Sequence, residues 1–156
     1  MHAARTTLLH ASCIAIGEAA VLLRGPSGCG KSDLALRMID GGAALVADDM
    51  VAVTRTAGGA LLAAPPAPLA GLLEVRGIGP MRLPHQARAV LHLVADLMPA
   101  AEIERVPLPA MAEILDCPLP LLRLDPWAAS ATARLRLALA HPRQLAGAHA
   151  MRVAAP

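Results

Sequence analysis

Aromatic side chains are almost missing from this sequence, which has no Phe, no Tyr and a single tryptophan, Trp127. With 56% of its 156 residues hydrophobic, its core must be packed from Ala, Leu and Val. Lysine is equally scarce: 13 of the 14 basic residues are Arg, and Lys31 is the only Lys. The formal net charge is only +2 and the arginines are scattered, which argues against a nucleic-acid partner. Cys13, Cys29 and Cys117 are odd in number and lack C-x-x-C spacing, so neither a disulfide framework nor a zinc site is indicated. The longest uncharged run, residues 56–73, is interrupted by Pro65, Pro66 and Pro68 and would not make a spanning helix. No apolar core of signal-peptide length lies between Met1 and His10. These absences together lead to the expectation of one domain in the cytoplasm, with no membrane contact.

The lone lysine marks the most informative stretch that is present. Residues 24–33 read Arg-Gly-Pro-Ser-Gly-Cys-Gly-Lys-Ser-Asp, the pattern G-x-x-x-x-G-K-[ST], with Gly25, Gly30, Lys31 and Ser32 in the fixed places. Glycine is needed where backbone N–H groups must approach phosphate oxygens without side chains in the way. A helix beginning near Lys31 adds the partial positive charge of its N-terminus, Lys31 reaches the β and γ phosphates, and the Ser32 hydroxyl can ligate magnesium. Pro26, Ser27, Gly28, Cys29 and Asp33 complete this candidate nucleotide site, for which ATP or GTP is the natural occupant. A chance glycine-rich turn is the plain alternative. The apolar run at 19–23 before the loop and the helical spacing of Leu34, Ala35, Met38 and Ile39 after it favour the phosphate reading. Arg replaces Lys everywhere except here, where a compact ammonium is required and a planar guanidinium fits poorly.

Around the loop, residues 12–16 and 19–23 predict an antiparallel hairpin about Gly17-Glu18. Its open end brings His10 beside the loop, although an ordinary strand-end histidine would look the same. The helix after the loop should stop at Gly41-Gly42. Residues 44–47 predict a short buried strand ending in Asp48-Asp49. A carboxylate in that position holds magnesium or acts as a general base, and two in succession on an extended chain face opposite ways and divide the work. A solvated turn is the competing explanation. Residues 51–54 and 61–64 predict a second hairpin about Gly58-Gly59, followed by an extended spacer over 65–68. Residues 72–80 predict a strand running into a Gly-x-Gly turn, with Glu74 and Arg76 on one side. Further strands are expected over 89–94 and 119–124. A helix is expected over 127–140, with Ala131, Leu135, Ala138 and Leu139 on its core face.

His10, the loop, Leu45-Val46-Ala47-Asp48-Asp49 and Leu73-Glu74-Val75-Arg76-Gly77-Ile78-Gly79 together resemble the catalytic domain of bacterial HPr kinase/phosphorylase. The resemblance is clearest over residues 10–79 and weaker to about 136. It implies transfer of phosphate from ATP to a serine of HPr, the phosphocarrier of the sugar phosphotransferase system, and in some members the reverse phosphorolysis. It further implies that Asp49 takes the serine proton and that Lys31 and His10 act at the phosphates. Ser32, Glu74 and Asp48 would hold magnesium, and Arg76 would help close the site. The family's further catalytic arginine precedes a helix ending in an Ile-Asp-like pair, and Arg105, ahead of Ile114-Leu115-Asp116, is the match here. The family's ring-like hexamer is implied as well. Three departures qualify the match. Longer members carry an N-terminal domain, whereas this chain begins close to the catalytic part. Asp33 and Pro80 stand where a glutamate and an aliphatic residue are usual. The Gly-Arg-Asn stretch tied to phosphorolysis is not visible in residues 120–126, which favours phosphorylation over its reversal.

The expectation is thus an α/β fold: a P-loop (Walker A) nucleotide-binding domain with a mixed β-sheet over residues 1–140, and a poorly ordered tail over 141–156. Using ATP and Mg2+, it would phosphorylate an HPr-like phosphocarrier protein as a homo-oligomer. A P-loop kinase of a small metabolite and a non-catalytic ATP sensor are the rivals. The first leaves the Glu74-to-Gly79 motif unexplained; the second would tolerate loss of Asp49.

Overall fold

A computed structural model of the protein describes residues 3–147. In chain order its elements are β1 (Arg5–His10), β2 (Ser12–Ile16), β3 (Ala19–Arg24), α1 (Lys31–Asp40), β4 (Ala44–Ala47), β5 (Met50–Arg55), β6 (Leu61–Ala64), β7 (Leu72–Val75), β8 (Gly79–Arg82), β9 (Ala89–Leu97), β10 (Met111–Ile114), β11 (Cys117–Leu124), α2 (Ala131–Ala140) and α3 (Pro142–Leu145).

Nine strands make one mixed sheet, in the order β1-β5-β6-β9-β3-β2-β4, with β11 also on β9 and β10 on β11. The long strand β9 has β3 along one edge, while β6 and β11 share the other, at Ala89–Val90 and Val94–Leu97 respectively. β3 and β11 run parallel to β9, and β2 runs antiparallel to both β3 and β4. Thus β3, β4, β9 and β11 all point the same way. Their carboxyl ends form one rim, the place where open α/β sheets bind ligands.

Packing explains why β3 reads as an unbroken apolar run. It lies mid-sheet and is covered on both faces. Val21 and Leu23 pack into a layer with α1 and α2, whereas Ala20 and Leu22 pack against residues of β5, β6 and β10. α1 contributes Leu34, Ala35 and Met38 to the first layer. α2 contributes Ala131, Leu135, Ala138 and Leu139, the face its spacing predicts. Among the described residues no helix is long and apolar enough to cross a membrane.

Several expectations are met element by element: both hairpins, β4, the end of α1 before Gly41-Gly42, and α2 as a core-packing helix, although it starts at Ala131 because residues 126–130 form a turn. Others need correction. The 65–68 spacer is extended only at its start, because Ala67–Leu69 closes into a 3-10 turn. The motif at 72–80 is a hairpin of its own, β7 against β8, with Val75 opposite Gly79. No helix ends at Ile114-Leu115-Asp116. Met111–Ile114 is a strand, and Leu115 (φ 50) and Asp116 (φ 63) make the two-residue, left-handed turn that joins it to β11. In the expected tail, Pro142–Leu145 is a short helix. Residues 148–156 lie outside the described residues, so the expectation of poor order there is untested.

Candidate functional site

The rim begins at Arg24, the last residue of β3. Its guanidinium bonds both carboxylate oxygens of Asp96 on β9, at 2.8 and 3.0 Å, and so fixes where the chain leaves the sheet. Residues 25–30 then double back into α1. At both ends of this loop a side chain would collide. A Cβ on Gly25 would lie 2.6 Å from Cys29 Sγ, and one on Gly30, where φ is 107°, would lie 3.0 Å from the Trp127 ring. No side chain caps α1, and its first internal bond runs from Leu34 N–H to Gly30 C=O at 2.9 Å. The N–H groups of Lys31, Ser32 and Asp33 therefore have no acceptor within the helix, and the helix dipole adds partial positive charge there. The Lys31 ammonium, nearly buried, donates to Gly25 C=O at 2.6 Å and Pro26 C=O at 3.1 Å.

The second strand to reach the rim is β4, two places from β3, and it ends in the paired aspartates. Asp48 is 5% exposed. Its Oδ1 accepts hydrogen bonds from Ser12 Oγ at 2.7 Å and Ser32 Oγ at 2.8 Å, and its Oδ2 from Glu74 N–H at 3.4 Å. One buried carboxylate thus ties β2, α1 and β7 together, and the three donors offset the cost of removing its charge from water. Asp49 does not continue the strand. Met50 N–H bonds Asp48 C=O at 2.8 Å, closing a three-residue turn with Asp49 at its centre and φ at 69°. This is the rarer, strained form of that turn, and it throws the Asp49 side chain out of the sheet. There Asp49 Oδ1 meets His10 Nε2 at 3.2 Å. The two aspartates do part company, as expected, but by a turn and not by alternation along an extended chain.

The β7–β8 hairpin closes the third side, with Glu74 on β7 and Arg76 and Ile78 at the tip. Together these elements enclose a cleft of about 670 Å³ whose walls include His10, Lys31, Ser32, Asp49, Glu74 and Trp127. Ser27, Gly28, Gly30 and Asp33 from the loop and Arg76 from the hairpin also line it. Pro26 C=O accepts the Cys29 N–H within the loop at 3.1 Å, and Asp48 accepts the hydroxyls of Ser12 and Ser32. Among the described residues no three His, Cys, Asp or Glu side chains gather into a metal cluster. The adjoining oxygens are those of Ser32, Asp48 and, across the cleft, Glu74.

Arg105 is not brought to this cleft. It lies exposed on the connection between β9 and β10, and the turn at Leu115-Asp116 removes the helix that supported its assignment. Two residues of the site went unread in the sequence. Ser12, a fully buried hydroxyl opening an apolar strand two places after His10, was the visible sign that a polar partner awaited it. Trp127, the lone aromatic, was read only as a helix start, yet it flanks Gly30. Next to Ser12, Cys13 is fully buried, and burial pushes its thiol pKa well up, leaving it unreactive.

Comparison with known proteins follows the same geometry. Residues 1–86, more than half of the chain, match the HPr Serine kinase C-terminal domain family. The chain belongs to that family. The matched stretch carries His10, the glycine loop, Asp48-Asp49 and Glu74, and excludes Arg105 and Trp127. An HPr kinase/phosphorylase of Bordetella pertussis (strain Tohama I) is 47% identical over 76 residues, covering 49% of this chain and 25% of the relative. One from Leptothrix cholodnii is 36% identical over 130 residues, 76% of this chain and 40% of the relative. The chain thus spans well under half the length of these curated relatives. Among solved structures, the Hpr(Ser) kinase/phosphatase from Coxiella burnetii superposes with a TM-score of 0.76 at 24% identity. That match covers 89% of this chain and 91% of the other, and it establishes the mixed α/β fold.

Proposed function

We propose that this chain binds ATP with magnesium in the cleft and transfers the γ-phosphoryl group to a serine hydroxyl on an HPr-type phosphocarrier protein. The observation that carries this reading is the meeting of the Ser32 hydroxyl with buried Asp48 at 2.8 Å, one residue from an exposed Asp49. The relatives' names, HPr kinase/phosphorylase, supply the substrate class. Residues 25–32 serve as the phosphate loop, with the free N–H groups at the start of α1 facing the phosphates and Lys31 exchanging the Gly25 and Pro26 carbonyls for phosphate oxygens.

Magnesium fits the oxygen donors present. It takes few protein ligands and completes its shell with phosphate and water, and Ser32 and Asp48, 2.8 Å apart, would offer it hard oxygen with Glu74 facing them across the cleft. When bound it supplies neutralisation of the charge shared by the β and γ phosphates. Asp49 accepts the proton of the incoming serine hydroxyl as the new bond from serine oxygen to phosphorus forms, while the bond between phosphorus and the β–γ bridging oxygen breaks and ADP departs. His10, 3.2 Å from Asp49, orients that carboxylate and would act at the γ-phosphate. Most of the acceleration comes from position and charge. Phosphorolysis would use the same groups in reverse. Arg76, at the hairpin tip, would close over the reacting groups. A cytoplasmic, ring-like hexamer completes the reading, and sedimentation velocity reports its size.

The test is incubation with γ-labelled ATP, magnesium and candidate carriers, followed by location of the label. Label on a carrier serine is the expected result. Turnover without a carrier would favour a small-metabolite kinase, and nucleotide binding without any transfer would favour a sensor.

A further inference from the structure

The nucleotide reading accounts for the Asp48 side of the cleft and leaves its opposite end without a task. Along the rim the strands run β4, β2, β3, β9, β11, so the glycine loop after β3 lies between the two flanks. On one side are Asp48, Asp49 and Glu74. On the other, β11 ends at Leu124 and the chain turns through Asp125-Pro126-Trp127, where Asp125 Oδ1 accepts the Trp127 N–H at 2.9 Å. That turn sets the indole against the loop, close enough that any side chain on Gly30 would strike it. Trp127 is nevertheless 64% exposed and forms part of the cleft wall.

An exposed indole in a chain otherwise empty of aromatics calls for a partner. One neighbour is already present: the Arg37 guanidinium lies 5.9 Å from the ring centroid. It is held in place by a 2.9 Å bond to Asp33 and by a bond to Pro126 C=O. A cation so anchored occupies one face and leaves the other for a flat, polarisable ring. A triphosphate whose γ end lies beside Ser32 and Asp48 must extend its nucleoside away from them, toward this flank.

We infer that Trp127, backed by Arg37, is the stacking platform for the purine ring of a nucleoside triphosphate. The inference rests on the reading of the loop as a phosphate site, and it assigns the base end that the loop motif leaves open. Stacking of this kind recognises a purine face rather than its edge, so ATP and GTP should both use it.

Because Trp127 is the only tryptophan, intrinsic fluorescence reports on this ring alone. The full chain is titrated with ATP, GTP and inorganic tripolyphosphate, following both calorimetry and emission. The expected result is binding of all three, with Trp127 emission altered by ATP and GTP and unmoved by tripolyphosphate. Trp127→Ala should weaken ATP about tenfold while leaving tripolyphosphate affinity within about twofold, and Trp127→Phe should restore most of the loss. If tripolyphosphate and ATP both bind but emission is unmoved and Trp127→Ala binds ATP as well as wild type does, the stacking assignment fails while the phosphate site stands. If neither ligand binds wild type at millimolar concentration, both readings fall. Emission that responds to a carrier protein and not to nucleotide would likewise overturn the assignment.

Discussion

Asp48 and Asp49 are neighbours in the chain and opposites in setting. Asp48 sits under the rim with three hydrogen-bond donors aimed at it from β2, α1 and β7. Asp49, one residue on, stands 69% exposed at the centre of a strained turn with a single partner, His10. A carboxylate with three donors on its roughly four lone-pair sites is a structural anchor with room left to face a cation. A carboxylate held outward by its backbone is free to take a proton. The chain separates the two settings by the tight turn centred on Asp49, just past the end of β4 at Ala47, so one dipeptide supplies a buried anchor and an exposed carboxylate.

The largest effect that could break this division is on turnover. Asp49→Asn keeps the left-handed conformation, which Asn tolerates as well as Asp, and removes the proposed proton acceptor. Carrier phosphorylation should fall by about 10³-fold, within the range for loss of a general base, while calorimetric ATP affinity stays within about twofold. A wild-type rate would remove Asp49 from the chemistry. The next largest effect is on stability. Asp48→Ala strands the Ser12 and Ser32 hydroxyls and the Glu74 N–H at once, and urea denaturation should show a loss of about 3 kcal/mol. Asp49→Ala in the same assay should stay within about 0.5 kcal/mol. Equal losses at the two positions would erase the distinction.

A smaller effect tests the loop itself. Gly30→Ala forces a Cβ onto a left-handed residue and against Trp127, and should cost about 1–2 kcal/mol in stability. It should also shift Trp127 emission in the absence of nucleotide. Gly28→Ala meets no neighbour, so its cost should be confined to backbone strain and its emission unchanged.

That loop also marks how far sequence reading reaches. Gly25 and Gly30 were legible because glycine there answers a local demand, a left-handed backbone and a close approach that a Cβ would block. The β2–β3 and β5–β6 hairpins were legible for the same reason, since apolar runs and glycine turns act within a dozen residues. Ser12 was not, because its partner lies 36 residues away and only strand order brings the two together. β1, β8 and β10 escaped notice because their sequences are exposed, Gly-Pro-containing or short, and each is a strand only through its neighbour. Arg105 was matched through a family pattern that presumed a helix where the two-residue turn at Leu115-Asp116 makes a hairpin.

That turn provides the sharpest control for Asp49. Asp116 is also exposed, also left-handed, and also paired with one basic side chain, for Arg5 Nη1 donates to its Oδ2 at 2.7 Å. It differs in lying outside the cleft. The hydrogen bond and charge of Arg5 hold the Asp116 carboxyl below its ordinary value of 3.8. A depressed folded-state pKa gives stability that is complete above the unfolded value and is lost as pH falls through the folded one. With the pair 56% and 67% exposed, solvent screens most of it, so Asp116→Asn should lower the urea midpoint only slightly at pH 7. The difference from wild type should close as the pH is taken below about 4, and carrier phosphorylation at pH 7 should match wild type. If Asp116→Asn instead slowed transfer as Asp49→Asn does, the loss at Asp49 would reflect disturbance of an exposed acidic turn. The case for Asp49 as proton acceptor would then fail even with the expected rate.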